Sequence, residues 1–336
     1  MKNALYQLLR LIVKSALYLY YKRIEVHGMV NIPKDKPIIF LPNHQNALLD
    51  VLLIVVNCNR KPYFLTRSDI FGKPLLNSFF EFLRMIPIYR IRDGRNSLAK
   101  NEAVFEQCAH ILGRHEAIVV FPEANHNLER RVRPLSKGFT RIIKNALNEN
   151  PKLDLQVIPV GLNYRMAEIF PDSAAVYYGK PIPVRALETE ALIEEASSGL
   201  KKLTTHIETE NYETIVGALN GLQPDYLNPK ETNKLLETIN LKKAVVPKTN
   251  IKKISFLSPI FWVLNFPMLL LWRYIIAKKV PEKEFTSTFR FMTCLLLYPL
   301  YYGLLCSVLS FVIGFEGAML ILLGIFTFNF GYVKKA

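Results

Sequence analysis

The stretch "KPIIFLPNHQNALLDVLLIVV", Lys36 to Val56, decides how the rest of the chain reads. Its proline-bounded apolar run, Ile38 to Leu41, has the length and composition of a strand buried on both faces. A polar cluster follows with His44 in it, and then a longer apolar run that continues as a helix or a buried segment, with Asp50 in its first turn. Side chains six apart on one helix lie about 120° from each other. His44 and Asp50 therefore meet only if His44 sits in the loop before the helix and the chain bends between them.

The alternation repeats outward from this segment. "KPYFLT", "RMIPIYR", "AIVVF", "LQVIPVGL" and "AAVYYG" read as strands. Helices are expected around Pro74 to Arg84, up to about Gly113, and over "GFTRIIKNAL". Strands alternating with helices predict an α/β domain, a mostly parallel sheet flanked by helices. In such sheets ligands bind beyond the carboxyl ends of the strands. His44 lies there, as do Arg90 and Arg92 after "MIPIY" and Glu123 after "VVFP".

The flanks differ from this middle. The chain has 336 residues, is 50% hydrophobic and carries a formal net charge of +15. Its mean hydropathy is +0.15 and its pI about 9.5. That balance points to acidic partners and to an apolar segment beyond an ordinary core. Residues 1–23 read as an amphipathic membrane-surface helix, with Gln7, Arg10 and Lys14 on one face. No small-residue cleavage site is evident behind it. Residues 24–186 form the α/β domain, and 187–250 a polar helical extension of two or three helices.

Residues 251–336 read as hydrophobic membrane helices. Phe291 to Ile313 and Ala318 to Val333 contain no charge and are joined by a short turn, a membrane hairpin. Ser255 to Ile276 is long enough to cross but is interrupted by Pro259, Asn265 and Pro267. Basic residues before it (Lys248, Lys252, Lys253), after it (Lys278, Lys279, Lys283, Arg290) and at the chain end (Lys334, Lys335) all favour the cytoplasmic side. An in-plane or re-entrant segment satisfies all three groups; three full spans are the alternative. Cys58, Cys108, Cys294 and Cys306 show no metal or redox spacing and read as buried apolar groups.

A neutral imidazole accepts a proton near pH 7, and a carboxylate fixes its tautomer. No serine or cysteine sits nearby in a nucleophile-elbow pattern, so His44 is read as activating the hydroxyl of a bound acceptor. His126, three residues past Glu123, contacts the acceptor or caps a loop; the spacing is not that of a metal motif, and no metal is expected. Basic residues do not interleave with any nucleic-acid motif, so nucleic acid is not expected as a partner.

"NHQNALLD", "IPIYRIRDG", "VVFPEANHN" followed by "RPLSKG", and "VIPVGLNY" stand in the order of the four motif blocks of the glycerophospholipid acyltransferases, the PlsC-like family. The chain resembles that family from about Ile24 to Ile182, including the lead-in "RIEVHGMVNIPKDKPIIFLPNHQ". The resemblance implies acyl transfer from acyl-ACP or acyl-CoA to a hydroxyl of a glycerol phosphate or lysophospholipid at a membrane, with no further cofactor. It implies His44 as general base and Asp50 as its partner. Arg90 or Arg92 would hold the acceptor phosphate, Glu123 matches the third block, and Asn125, His126, Arg133 and Lys137 join the substrate side. Two departures stand out. Five residues separate His44 from Asp50 where most of the family has four, a spacing similar to that of some glycerol-3-phosphate acyltransferases. Ala124, Asn125 and His126 replace the Gly-Thr-Arg that usually follows the glutamate, leaving Ala124 to turn the chain at some strain or with a negative φ, and the phosphate role of the missing arginine to Arg90, Arg92, Arg131, Arg133 or Lys137. Expected in order are lysophosphatidate acylation, glycerol-3-phosphate or another lysolipid as acceptor, and a membrane-binding homologue without activity. The active site is expected to face the cytoplasm.

Overall fold

A computed structural model of the chain describes residues 2–89, 95–184, 188–242 and 257–335. Its centre is an eight-stranded sheet. The strands are β1 (Arg23–His27), β2 (Ile38–Pro42), β3 (Tyr63–Arg67), β4 (Met85–Ile88), β5 (Ala117–Val119), β6 (Gln156–Tyr164), β7 (Ser173–Tyr178) and β8 (Ile182–Pro183). They lie in the order β1-β7-β6-β2-β5-β3-β4, and β8 pairs with the start of β6. The run from β6 to β4 is parallel throughout. β7 turns back antiparallel to β6, and β1 then runs parallel to β7.

β2 occupies the middle of this sheet because both of its faces are apolar. Ile38 and Phe40 point into one core, Ile39 and Leu41 into the other, and all four are fully buried. The first core is covered by α1 (Lys2–Tyr20) and α2 (Ala47–Asn57), with Phe291 joining it from the C-terminal region. The second is covered by α4 (Arg95–Gly113), α5 (Gly138–Glu149) and α6 (Thr189–Leu203), with α3 (Pro74–Phe82) preceding β4 at the sheet's edge. α6 is read as polar in sequence, yet its Leu192 and Ala196 are buried in the second core. Its end crosses β6 so closely that a Cβ at Gly161 would lie 2.2 Å from the Leu203 carbonyl oxygen. α7 (Tyr212–Gly221) and α8 (Pro229–Lys242) form a small separate cluster around Leu219, Tyr226 and Leu236.

α1 buries Leu17 and Tyr20 and exposes Leu5, Leu8, Leu11 and Ile12, an outward apolar face that water alone does not favour. α9 (Ser258–Leu264) and α10 (Phe266–Leu271) meet at an 88° bend at Asn265, where Pro267 removes a backbone donor. α11 (Thr286–Lys335) is broken at Gly314, whose φ of 78° and ψ of 164° are not helical. Its two halves lie side by side, since Asn329 donates to the Tyr302 hydroxyl at 3.0 Å. The apolar stretch of this helix is a candidate for membrane insertion, and only 11% of its most apolar window is buried inside the protein. Lys334 returns to the α/β domain and donates to the carbonyls of Tyr18 and Tyr21. Lys248, Lys252 and Lys253 lie outside the described residues.

Candidate active site

The carboxyl end of β2 delivers the chain into a loop, and the loop is seated by Asn43. Its side-chain amide donates to the Leu162 carbonyl at 3.0 Å and accepts from the Leu162 N–H at 2.7 Å, so it imitates a strand residue against β6. His44 follows. α2 begins at Ala47, so Asp50 stands one turn into the helix and points back over the bend. His44 Nδ1 and Asp50 Oδ2 are 2.7 Å apart. The same carboxylate oxygen accepts from the backbone N–H groups of Gln45 at 2.9 Å and Asn46 at 2.8 Å. These are the free donors of a helix start, where negative charge is favoured.

The other carboxylate oxygen of Asp50 accepts from the Tyr164 hydroxyl at 2.5 Å. Asp50 is fully buried, so its charge is held by these donors and not by water. Burial, with the Asp50 charge beside it, pushes the Tyr164 hydroxyl well above its ordinary range, which keeps it a proton donor. Tyr164 ends β6, 114 positions from its partner; the sequence marks its motif "VIPVGLNY" but gives no local sign that this tyrosine reaches Asp50. With Nδ1 donating to Asp50, the Nε2 lone pair of His44 is free, and among the described residues no hydrogen bond to Nε2 is formed. Phe121, just past β5, stacks on the imidazole with ring centres 4.0 Å apart.

The loop after β5 supplies the second half of the site. Glu123 is buried, and its Oε2 accepts two hydrogen bonds from Arg133, at 3.1 and 3.0 Å. Its Oε1 has no partner. Burial raises the Glu123 carboxyl above the usual range, opposed by Arg133. Arg133 also donates to the Asn125 carbonyl, closing the turn. Ala124 sits at φ 63°, the left-handed conformation, so it takes the strained option and not the negative φ. The Asn127 N–H donates to the His44 carbonyl at 2.9 Å, which ties this loop to the first. The His126 ring stands edge-on to His44 with centres 5.5 Å apart. Its Nε2 lies 3.2 Å from Glu282, and Phe285 packs on its ring; both belong to the linker between α10 and α11. Burial lowers the His126 pKa, aided by the charge of His44 and opposed by Glu282.

His44, Asp50, Glu123, His126 and Arg133 are thus gathered at one end of the sheet. Asn125 is exposed and enters through its carbonyl. Lys137 is exposed and faces Glu190 at 3.5 Å. Arg90 and Arg92 lie outside the described residues. Arg131, considered from sequence as a phosphate ligand, is spent on backbone: it donates to the carbonyls of Ile207 at 3.1 Å and Thr209 at 2.6 Å. Arg130 is likewise spent on the carbonyls of Tyr164 and Arg165, with its guanidinium 3.4 Å from the Tyr226 ring centre. His206 accepts the Val132 N–H at 3.0 Å. The segment before α7 therefore clamps the Glu123 loop, a role no local pattern announced. Among the described residues no three His, Cys, Asp or Glu side chains are arranged to hold a metal ion.

Residues 23–163 match the family model described as Acyltransferase. Over these residues the chain is similar to acyltransferase domains. The domain is 26% identical over 126 residues to glycerol-3-phosphate O-acyltransferase 1 of Saccharomyces cerevisiae, covering 34% of this chain and 16% of that one. It is 25% identical over 144 residues to a 1-acyl-sn-glycerol-3-phosphate acyltransferase of Chlamydomonas reinhardtii, covering 43% of this chain and 39% of that one. The chain therefore spans well under half the length of these curated relatives. Among solved structures it is similar to the 1-acyl-sn-glycerophosphate acyltransferase PlsC of Thermotoga maritima. That match has a TM-score of 0.46 and 18% identity, over 60% of this chain and 78% of that one. The matched residues run from the start of β1 to the last residue but one of β6, so they contain His44, Asp50, Glu123, His126 and Arg133; Tyr164 lies one residue beyond them, and Glu282 and Phe285 come from the linker between α10 and α11.

Proposed function

We propose that the protein moves a fatty acyl group from acyl-ACP or acyl-CoA to the hydroxyl of lysophosphatidate, at the cytoplasmic face of a membrane. The observation that carries this reading is the pairing of His44 with the buried, triply supported Asp50, which leaves Nε2 free at the mouth of the sheet. Nε2 takes the proton of the acceptor hydroxyl as its oxygen attacks the thioester carbonyl. The tetrahedral intermediate then collapses, the C–S bond breaks, and the thiolate leaves with the proton held by the imidazolium. Asp50 stabilises that imidazolium. A positioned base contributes about 10²–10⁴-fold to such a step, and holding both substrates together contributes more.

The acceptor phosphate is assigned to the arginine-bearing strand ends: Arg90 and Arg92 after β4, and Arg133 beside Glu123, with His126 completing the wall. Arginine suits phosphate through its paired donors. The lysines flanking the apolar segments favour a site that faces the cytoplasm. A second reading, transfer to glycerol 3-phosphate, is favoured by the five-residue spacing between His44 and Asp50 and by the name of the yeast relative.

The test is acylation by the purified full chain with a panel of phosphate-bearing acceptors, read by mass spectrometry. Phosphatidate formed from lysophosphatidate is expected. Acylation of glycerol 3-phosphate alone selects the second reading, and no acylation of any acceptor removes both.

A further inference from the structure

A cavity of about 530 Å³ lies behind the site, between α1, the bent pair α9–α10 and both halves of α11. Its wall is apolar: Leu19, Phe170, Met268, Leu269, Phe291 and Leu295. The polar groups inside are satisfied by one another. Asn265 donates to Asn329 at 2.8 Å and accepts from Tyr298 at 3.1 Å, and Asn329 donates to Tyr302 at 3.0 Å. This network closes one side of the chamber and leaves no polar atom of it seeking a ligand. The exception to the apolar lining is one end, where Arg290 sits over the Trp272 ring at 4.9 Å and donates to the Glu168 carbonyl.

The cavity is joined to the catalytic pair through a short segment. The Ala167 carbonyl accepts from Asn46, the residue before α2, at 3.3 Å, and from Ser287 of α11 at 2.6 Å. Glu168, Ile169 and Phe170 then form cavity wall. From the other direction Phe285 touches His126, and α11 starts at the next residue. Arg290 follows about 6 Å along the helix axis and Tyr298 about 18 Å along it. The chamber thus begins beside the site and runs about as deep as one bilayer leaflet, roughly 15 Å of hydrocarbon.

We propose that this cavity holds the acyl chain of the acceptor lysophospholipid, entered at the Arg290 rim, so that the glycerol hydroxyl turns to His44 and the phosphate reaches the arginines of the site. The proposal rests on the acyltransferase reading and decides between its acceptors, because glycerol 3-phosphate has no chain to bury. The volume falls in the range of about 300–1,000 Å³ typical of ligand sites. A membrane-resident lipid is the fitting occupant because the walls come from the segments read as membrane-inserted. A carrier-bound thioester arrives from water. A mostly hydrocarbon wall that opens at a polar rim, where Arg290 and Glu168 stand together, matches a single-chain lipid with a polar head.

The test uses lysophosphatidate carrying a diazirine midway along its chain, photolysed with the full chain in phosphatidylcholine nanodiscs and mapped by peptide mass spectrometry. Labelling of the Met268 and Cys294 to Tyr298 peptides is expected, competed by unlabelled lysophosphatidate and not by glycerol 3-phosphate. Labelling confined to outward positions such as Phe311 and Leu320 overturns the proposal. Equal labelling by diazirine-bearing phosphatidylcholine, or competition only by acyl thioester, overturns it too, naming bulk lipid or the donor chain as occupant. In parallel, Cys294→Trp and Met268→Trp fill the chamber. The ratio of kcat/KM for a long-chain over a short-chain lysophosphatidate is expected to fall about tenfold, the loss of roughly two buried methylenes. An unchanged ratio counts against the proposal. If no acceptor is acylated at all, the acyltransfer reading fails, while the labelling pattern still judges the cavity.

Discussion

Removing one oxygen atom, by Tyr164→Phe, isolates what the third donor to Asp50 does. The tyrosine hydroxyl lies 2.5 Å from Asp50 Oδ1, and both residues are buried, so no water replaces the lost donor. A hydrogen bond to a charged group contributes about 1.5–3 kcal/mol. Tenfold in rate corresponds to about 1.4 kcal/mol. In the proposed mechanism Asp50 acts by holding the imidazolium that forms when His44 takes a proton. If most of the lost interaction bears on that ion, kcat falls by roughly 10- to 100-fold. KM should change little, because Tyr164 meets Asp50 from inside the core and not from the substrate side. The assay is steady-state acyl transfer by purified wild-type and variant protein, with circular dichroism confirming the fold. Asp50→Asn and the double variant complete a cycle, and the two losses should fall well short of additive, since both act through the same imidazole. A folded Tyr164→Phe protein with kcat within about twofold of wild type would refute the reasoning.

Three further outcomes concern the scaffold. Ala124→Gly, which relieves a left-handed alanine at φ 63°, should stabilise by about 0.5–1 kcal/mol, and Ala124→Val should destabilise by about as much, both read by denaturant titration. Burial pushes the Asp172 carboxyl up to about 6, and its Oδ2 has no partner. The folded state therefore favours the protonated form, so stability falls as pH rises from about 4, the unfolded value, to about 6. Asp172→Asn should remove this slope and gain up to about 3 kcal/mol above pH 6, with no gain below pH 4. Gly161→Ala places a methyl 2.2 Å from the Leu203 carbonyl oxygen and should cost about 1–3 kcal/mol by displacing α6, seen as a lowered Tm.

What the sequence made legible follows from how local each signal is. β2 to β7 and α2 to α5 announce themselves by apolar runs and turn residues within a few positions of each other. The bend between His44 and Asp50 is legible for the same reason: helical geometry forbids any straighter arrangement of that spacing. β1 carries no clear strand signal, because Arg23, Glu25 and His27 alternate with only two apolar residues and the strand is an edge. Contacts between distant positions leave no pattern at all. Tyr164 meets Asp50 across 114 residues, and Glu282 meets His126 across 156. Arg131 illustrates the converse error. A basic residue near a phosphate motif reads as a ligand, but its guanidinium is anchored on the carbonyls of Ile207 and Thr209, which sequence spacing cannot foresee. The 88° bend at Asn265 is half legible: Pro259, Asn265 and Pro267 mark an interrupted segment, while the bond from Asn265 to Asn329 joins positions 64 apart and leaves no local pattern.

The most direct measurement is the rate of acyl transfer by His44→Ala protein reconstituted beside wild type. A fall of about 10²–10⁴-fold, with nanodisc incorporation and the far-ultraviolet spectrum preserved, is the predicted result. Transfer at the wild-type rate by the folded variant would contradict the assignment of the imidazole as the base.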